Sequence, residues 1–228
     1  MMRQRQGWND GGDPATRESL SRYWRELAEL AAVMPIDVLT GAADLLLACQ
    51  ARGRVVFVAG NGGSAATASH LACDLAKGTR PGGVAAFRVM PLTDNVPLIT
   101  AWANDTAYSR VFAEQLAALA RPGDILVAIS ASGTSPNIVA AAETAAELGV
   151  TVLALTGKTG GRLAAMADLS VRVPSDRIEL VEDAHLAIGH SLCVALRERL
   201  AADVATREAD QVVLQARPVE AMPVDLSA

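Results

Sequence analysis

Hydrophobic positions along the chain change their spacing once, at Arg54. Before it, residues 17–34 and 36–52 carry apolar side chains at helical intervals, with Pro35 between the two stretches and Gly53 after the second. After it the apolar residues gather into short β-branched runs: RVVFVAG (54–60), VAAFRV (84–89), DILVAIS (124–130), TVLALTG (151–157) and DLSVRVP (168–174). The segments between them predict helices over 64–77, 106–120, 135–148, 160–167 and 178–202. Apolar strands alternating with helices predict an α/β, three-layer αβα sandwich whose five-stranded, mainly parallel sheet has right-handed crossovers and both faces covered. Two helices precede that unit and need a surface to cover, which a second subunit would supply.

The ends read differently. Residues 1–15 are polar and Gly-rich and are expected to be disordered, residues 16–202 form a single domain, and 203–228 are a tail with Pro218 and Pro223. That tail is expected either to be disordered or to lie over a neighbour. Hydrophobic residues make up 51% of the chain but aromatic ones only 4%, so Ala, Val, Leu and Ile must fill the core. A net charge of -5 with no dense basic tract does not favour nucleic acid. No apolar run matches a signal peptide or a bilayer span, so a cytoplasmic location away from membranes is expected. Cys49, Cys73 and Cys193 have no metal-knuckle spacing and read as small buried side chains in a reducing compartment.

Two strand-to-helix turns carry candidate chemistry. Gly60-Asn61-Gly62-Gly63-Ser64 lets bare backbone approach a ligand and aims the unpaired N–H groups of a helix start at an anion. No Lys-Ser/Thr pair follows, so it is not a nucleotide P-loop, and the dinucleotide pattern is absent. Ser130-Ala131-Ser132-Gly133-Thr134-Ser135 places several hydroxyls around a glycine, where they can donate to phosphoryl oxygens without adding charge. Each turn alone fits an ordinary capped βα loop. Together, at the carboxyl ends of strands, they point to a phosphorylated ligand.

All three histidines lie within two helical segments. His70 and Asp74 are four apart and share a face; Glu182 and His190, eight apart, share another; His185 is turned away from His190. Such sets can hold zinc or move protons, and they can equally be ordinary surface charges that pair helices.

With GNGGSAATASH (60–70), LTDNVPLITAWANDTAYSRVF (92–112), the run from Arg121 to Gly149, LTGKTGGRLAAMADLSVRVPS (155–175) and VEDAHLAIGHSLC (181–193), the chain resembles the sugar isomerase, or SIS, domain family. It is most similar to the phosphoheptose isomerases, over roughly residues 20–202. The resemblance implies a flavodoxin-like fold, a homotetramer with sites at subunit contacts, and an aldose–ketose isomerase. The reaction would interconvert sedoheptulose 7-phosphate and D-glycero-D-manno-heptose 7-phosphate through an enediol or enediolate. It places phosphate contacts on Ser130, Ser132 and Ser135, a first ligand loop on Asn61, Gly62, Gly63 and Ser64, and a polar pair near the sugar on Asn104 and Asp105. Its base falls on Asp74 and its acid on His190, and a zinc set comprises His70, Asp74, Glu182 and His190.

The chain departs from the family at three positions. Ala131 replaces a hydroxyl residue, Asp74 replaces the usual glutamate, and Glu182 replaces the usual glutamine, which leaves either Asp74 or Glu182 as the base. A non-catalytic phosphosugar-binding or assembly protein is the rival reading, disfavoured by the presence of His190. An isomerase of a related phosphosugar is the third.

Overall fold

The structure, a computed structural model, describes residues 12–215; the expectations for 1–11 and 216–228 lie outside the described residues. Five strands, β1 (Val55–Ala59), β2 (Arg88–Pro91), β3 (Ile125–Ser130), β4 (Thr151–Thr156) and β5 (Leu169–Arg172), pair in the order β2-β1-β3-β4-β5. Every pairing is parallel, and this is the flavodoxin-like order. Central β3 is buried at all six positions, which is why it reads as an unbroken apolar run.

Among the described residues eight α-helices surround the sheet: α1 (Pro14–Ala32), α2 (Ile36–Ala51), α3 (Gly63–Cys73), α4 (Val96–Asp105), α5 (Val111–Leu119), α6 (Pro136–Glu147), α7 (Gly161–Met166) and α8 (Ile178–Gln215). Strand side chains alternate between two cores. Val56, Val58, Val127, Leu153 and Leu155 meet Leu46 of α2, Leu71 of α3 and Leu196 of α8. Phe57, Leu126, Ala128, Val152 and Ala154 meet Phe112 and Leu116 of α5, Ile138 of α6 and Leu163 of α7. The connections leave β1 and β3 in opposite directions, so the crevice between their carboxyl ends is the place where such folds collect ligands.

Several boundaries differ from expectation. The second strand begins at Arg88, because its register is set by pairing with Val55, and residues 79–87 serve as the crossover. Helix α4 is additional. Asn95 caps it by accepting from Leu98 N at 3.1 Å, and a proline occupies its first turn, so the start signal was present in DNVP. Helix α8 continues to Gln215, 38 residues in all. The extension past 202 has no glycine or proline to stop it. At the other end α1 starts at Pro14, capped by Asp13.

The two leading helices divide their roles. Ala42, Ala43, Leu46 and Cys49 of α2 are buried in its own domain, whereas α1 buries Leu30 and leaves Leu20 and Trp24 exposed. Arg177 pairs with Glu26 and lies 5.6 Å from the Tyr23 ring centre, and Tyr23 donates to Asp183 at 2.5 Å, so α1 is pinned to the start of α8. That hydrogen bond, which needs the phenol protonated, pushes the Tyr23 pKa up to about 12. Among the described residues no single helix is long and apolar enough to cross a membrane.

Candidate active site

The first turn follows β1 directly. Gly62 has φ +54°, a conformation that favours glycine, and its carbonyl accepts from Ala65 N and Ala66 N to start α3. Ser64 is buried there. At Gly63 an added Cβ would lie 2.6 Å from Glu182 Oε2, so the Glu182 carboxylate rests on the first turn of α3, where the helix dipole favours an anion.

The second turn follows β3. Ser130 Oγ lies 3.1 Å from Ser135 Oγ and accepts from Gly133 N at 3.2 Å, while Ser132 Oγ accepts from Thr134 N at 3.2 Å. Gly133, at φ +64°, passes against the backbone of Gly160, where a side chain would collide. Its carbonyl accepts from Leu163 N at 2.9 Å, and Ala131 O accepts from Gly157 N at 2.9 Å, so the β4 loop braces the serine loop from behind. Ser132 borders a depression of about 230 Å³ that also involves Lys158, Ser175 and Asp176.

The two turns are joined by Asn61 together with two residues not expected from the sequence, Asn137 and Tyr108. Asn61 and Asn137 exchange hydrogen bonds of 2.9 and 2.8 Å, and Tyr108 donates to Asn61 Oδ1 at 3.1 Å. The available signal was position: Asn137 stands two residues after Ser135 in the hydroxyl motif. Asn104 and Asp105 sit exposed at the end of α4, where Asn104 Nδ2 donates to Asp105 Oδ1 at 2.9 Å.

The histidines separate into two environments. Helices α3 and α8 run parallel, with Gly63 beside Glu182 and Leu71 beside Gly189. Toward their far ends His70, Asp74 and His190 converge. His70 Nε2 is 3.0 Å from His190 Nε2 and 3.4 Å from Asp74 Oδ2, and His190 Nε2 is 3.6 Å from Asp74 Oδ2. Asp74 opens a π-helical stretch, Asp74–Gly78, that prolongs α3, and such stretches occur frequently at functional positions. Despite its short side chain it reaches both imidazoles.

Glu182 does not join this cluster within the chain. It precedes His190 by eight residues, about 12 Å along α8 at 1.5 Å per residue. The expected four-residue set is therefore three residues here, with the fourth two turns away.

His185 is buried on the sheet side of α8, with neither ring nitrogen hydrogen-bonded. Burial pulls its pKa down to about 4, opposed weakly by the Thr156 backbone, so it stays neutral. Cys49 and Cys193 are buried as expected, but Cys73 is exposed because it lies on the outer face of α3. Burial, and next the charge of Asp74, raise the Cys193 thiol to about 12.

The cluster fits zinc by its donor chemistry: two imidazole nitrogens and a carboxylate oxygen all lie within 4.8 Å of one another. Bonds of 2.0–2.2 Å in a tetrahedron put ligand atoms about 3.3 Å apart, and the separations of 3.0, 3.4 and 3.6 Å bracket that spacing.

A parallel sheet with glycine and serine turns at its switch point defines a doubly wound α/β protein of the kind that collects ligands at the carboxyl ends of its strands. The chain belongs to the SIS domain family, whose sequence model matches residues 20–157, and within it to the phosphoheptose isomerase group. It is 43% identical over 159 residues to the phosphoheptose isomerase of Rhodospirillum rubrum, a match covering 70% of this chain and 84% of that one. The phosphoheptose isomerase structure from Neisseria gonorrhoeae superposes with a TM-score of 0.74 at 32% identity, covering 80% of this chain and 99% of that one. The one from Francisella tularensis does so with a TM-score of 0.74 at 35% identity, covering 80% and 98%.

Proposed function

We infer that the protein is an aldose–ketose isomerase that interconverts sedoheptulose 7-phosphate and D-glycero-D-manno-heptose 7-phosphate. The observation that carries this reading is the convergence of His70, Asp74 and His190 in a chain 43% identical to a phosphoheptose isomerase. Ser64 with Ser130, Ser132 and Ser135 anchors the phosphate, and Asn61, Gly62 and Gly63 shape the adjoining loop. Asn104 and Asp105 take sugar hydroxyls. Asp74, or Glu182 in its place, removes the proton from the carbon beside the carbonyl and returns it to the neighbouring carbon. His190 moves the compensating proton between the two substrate oxygens, so no electrons are gained or lost.

His70, Asp74 and His190 would hold a zinc ion, which when bound polarises a carbonyl oxygen or orders the site. Glu182 can join such a set only from another subunit, given its separation from His190 in its own chain. The exposed Leu20 and Trp24 of α1 also favour association, and together these support a homotetramer with shared sites. Residues 16–202 form the catalytic unit; members of its larger core run from Leu30 to Leu200.

Incubation of the purified protein with sedoheptulose 7-phosphate, followed by NMR, should yield the aldose phosphate, with solvent deuterium entering at C2. Folded, zinc-replete protein that binds the ketose without forming aldose would refute the reading. Asp74→Asn is expected to abolish turnover; full activity in that variant together with loss in Glu182→Gln would transfer the base role to Glu182. Mixed oligomers of His190→Ala and Glu182→Ala subunits should recover activity that neither variant has alone.

A further inference from the structure

The amide pair between Asn61 and Asn137 spans the crevice between β1 and β3, at which the strand order reverses. Asn61 lies three residues before Ser64, and Asn137 two residues after Ser135, so the pair ties one phosphate loop to the other. Each carboxamide donates to and accepts from its partner, at 2.9 and 2.8 Å, and the Tyr108 hydroxyl at 3.1 Å fills the second lone pair of Asn61 Oδ1. Asn137 is 2% exposed, so water does not compete for its bonds. A reciprocal amide pair fixes separation and in-plane orientation together, which an apolar contact does not. Tyr108 follows Asn104 and Asp105 by a few residues, which connects the end of α4 to the same point.

We propose that Asn137, backed by Tyr108, is a positioning residue that sets the gap between the two halves of the phosphate cradle. Phosphate affinity then depends on Asn137, while proton transfer at the histidine–aspartate cluster does not. The inference rests on the reading of the two loops as a phosphate site, and it holds for any sugar carried on that phosphate.

Calorimetric titration of inorganic phosphate into the full chain tests it, alongside steady-state kinetics on the ketose phosphate. Asn137→Leu, close in volume, should weaken phosphate binding and raise KM by about ten-fold, the scale of two lost hydrogen bonds, with kcat within about two-fold. Tyr108→Phe removes one exposed hydroxyl and should shift both quantities in the same direction by about three-fold. This second variant decides the matter if Asn137→Leu fails to fold. Unchanged phosphate affinity with only a lower Tm would overturn the inference, as would a fall in kcat at constant KM. Wild-type protein that binds phosphate but does not isomerise the ketose would defeat the assigned reaction and leave the phosphate titration able to judge Asn137. Wild-type protein that binds no phosphate would overturn both.

Discussion

The proposed phosphate cradle and the histidine cluster are built on opposite principles. The cradle's serines sit on turns held by glycines at positive φ and braced by the β4 loop, so their hydroxyls are in place before any ligand arrives. The cluster is made of side chains on two helices, with His70, Asp74 and His190 46%, 31% and 51% exposed. Two imidazole nitrogens 3.0 Å apart need a shared proton or a cation between them. The binding half is thus preorganised by the fold, whereas the chemical half depends on what is added to it.

The contrast is sharpest if the halves can be broken separately. His190→Ala should lower kcat by about 10²–10⁴ and leave both Tm and inorganic phosphate affinity unchanged; a parallel loss of phosphate binding would merge the two regions. Gly133→Ala attacks the cradle's scaffold and should cost about 3 kcal/mol or more in denaturant unfolding, because the new methyl meets backbone at positive φ.

His185 tests the ground between them. Its pKa is about 4 when folded, below the ordinary value near 6.5, so its contribution is complete above pH 6.5 and is lost as pH falls toward 4. That contribution is roughly 3 kcal/mol, and unfolding of His185→Leu should show a flatter acid limb than wild type. Tyr23→Phe is the mildest case. Its bond to Asp183 is solvent-exposed although the ring is half-buried, so the loss of the hydroxyl alone should stay under about 1 kcal/mol in Tm-based stability measurements.

Most of the fold was legible because the buried parallel strands β1, β3 and β4 each leave a short β-branched apolar run. The edge strand was displaced by four residues since β2 alternates exposed and half-buried positions and takes its register from β1. Helix α4 was missed although Asn95 and Pro97 announce it, because it is short and buries no residue fully, its Ile99, Trp102 and Ala103 stripe lying only half-buried on the core. At the site, i,i+4 spacing correctly brought His70 to Asp74. The eight-residue spacing of Glu182 and His190 gave a shared face but not a shared height, and angle alone does not measure distance along a helix. Asn137 could be flagged only by its place two residues after Ser135, since its partner Asn61 follows the neighbouring strand, 76 residues earlier in the chain.

The contact between Gly63 and Glu182 bears on how this site can evolve. An alanine at position 63 would meet the far end of a flexible side chain, so the carboxylate would move while the fold survived. Positions 63 and 182 are therefore expected to covary among descendants of this chain, and a library aimed at new sugar specificity should randomise them as one unit.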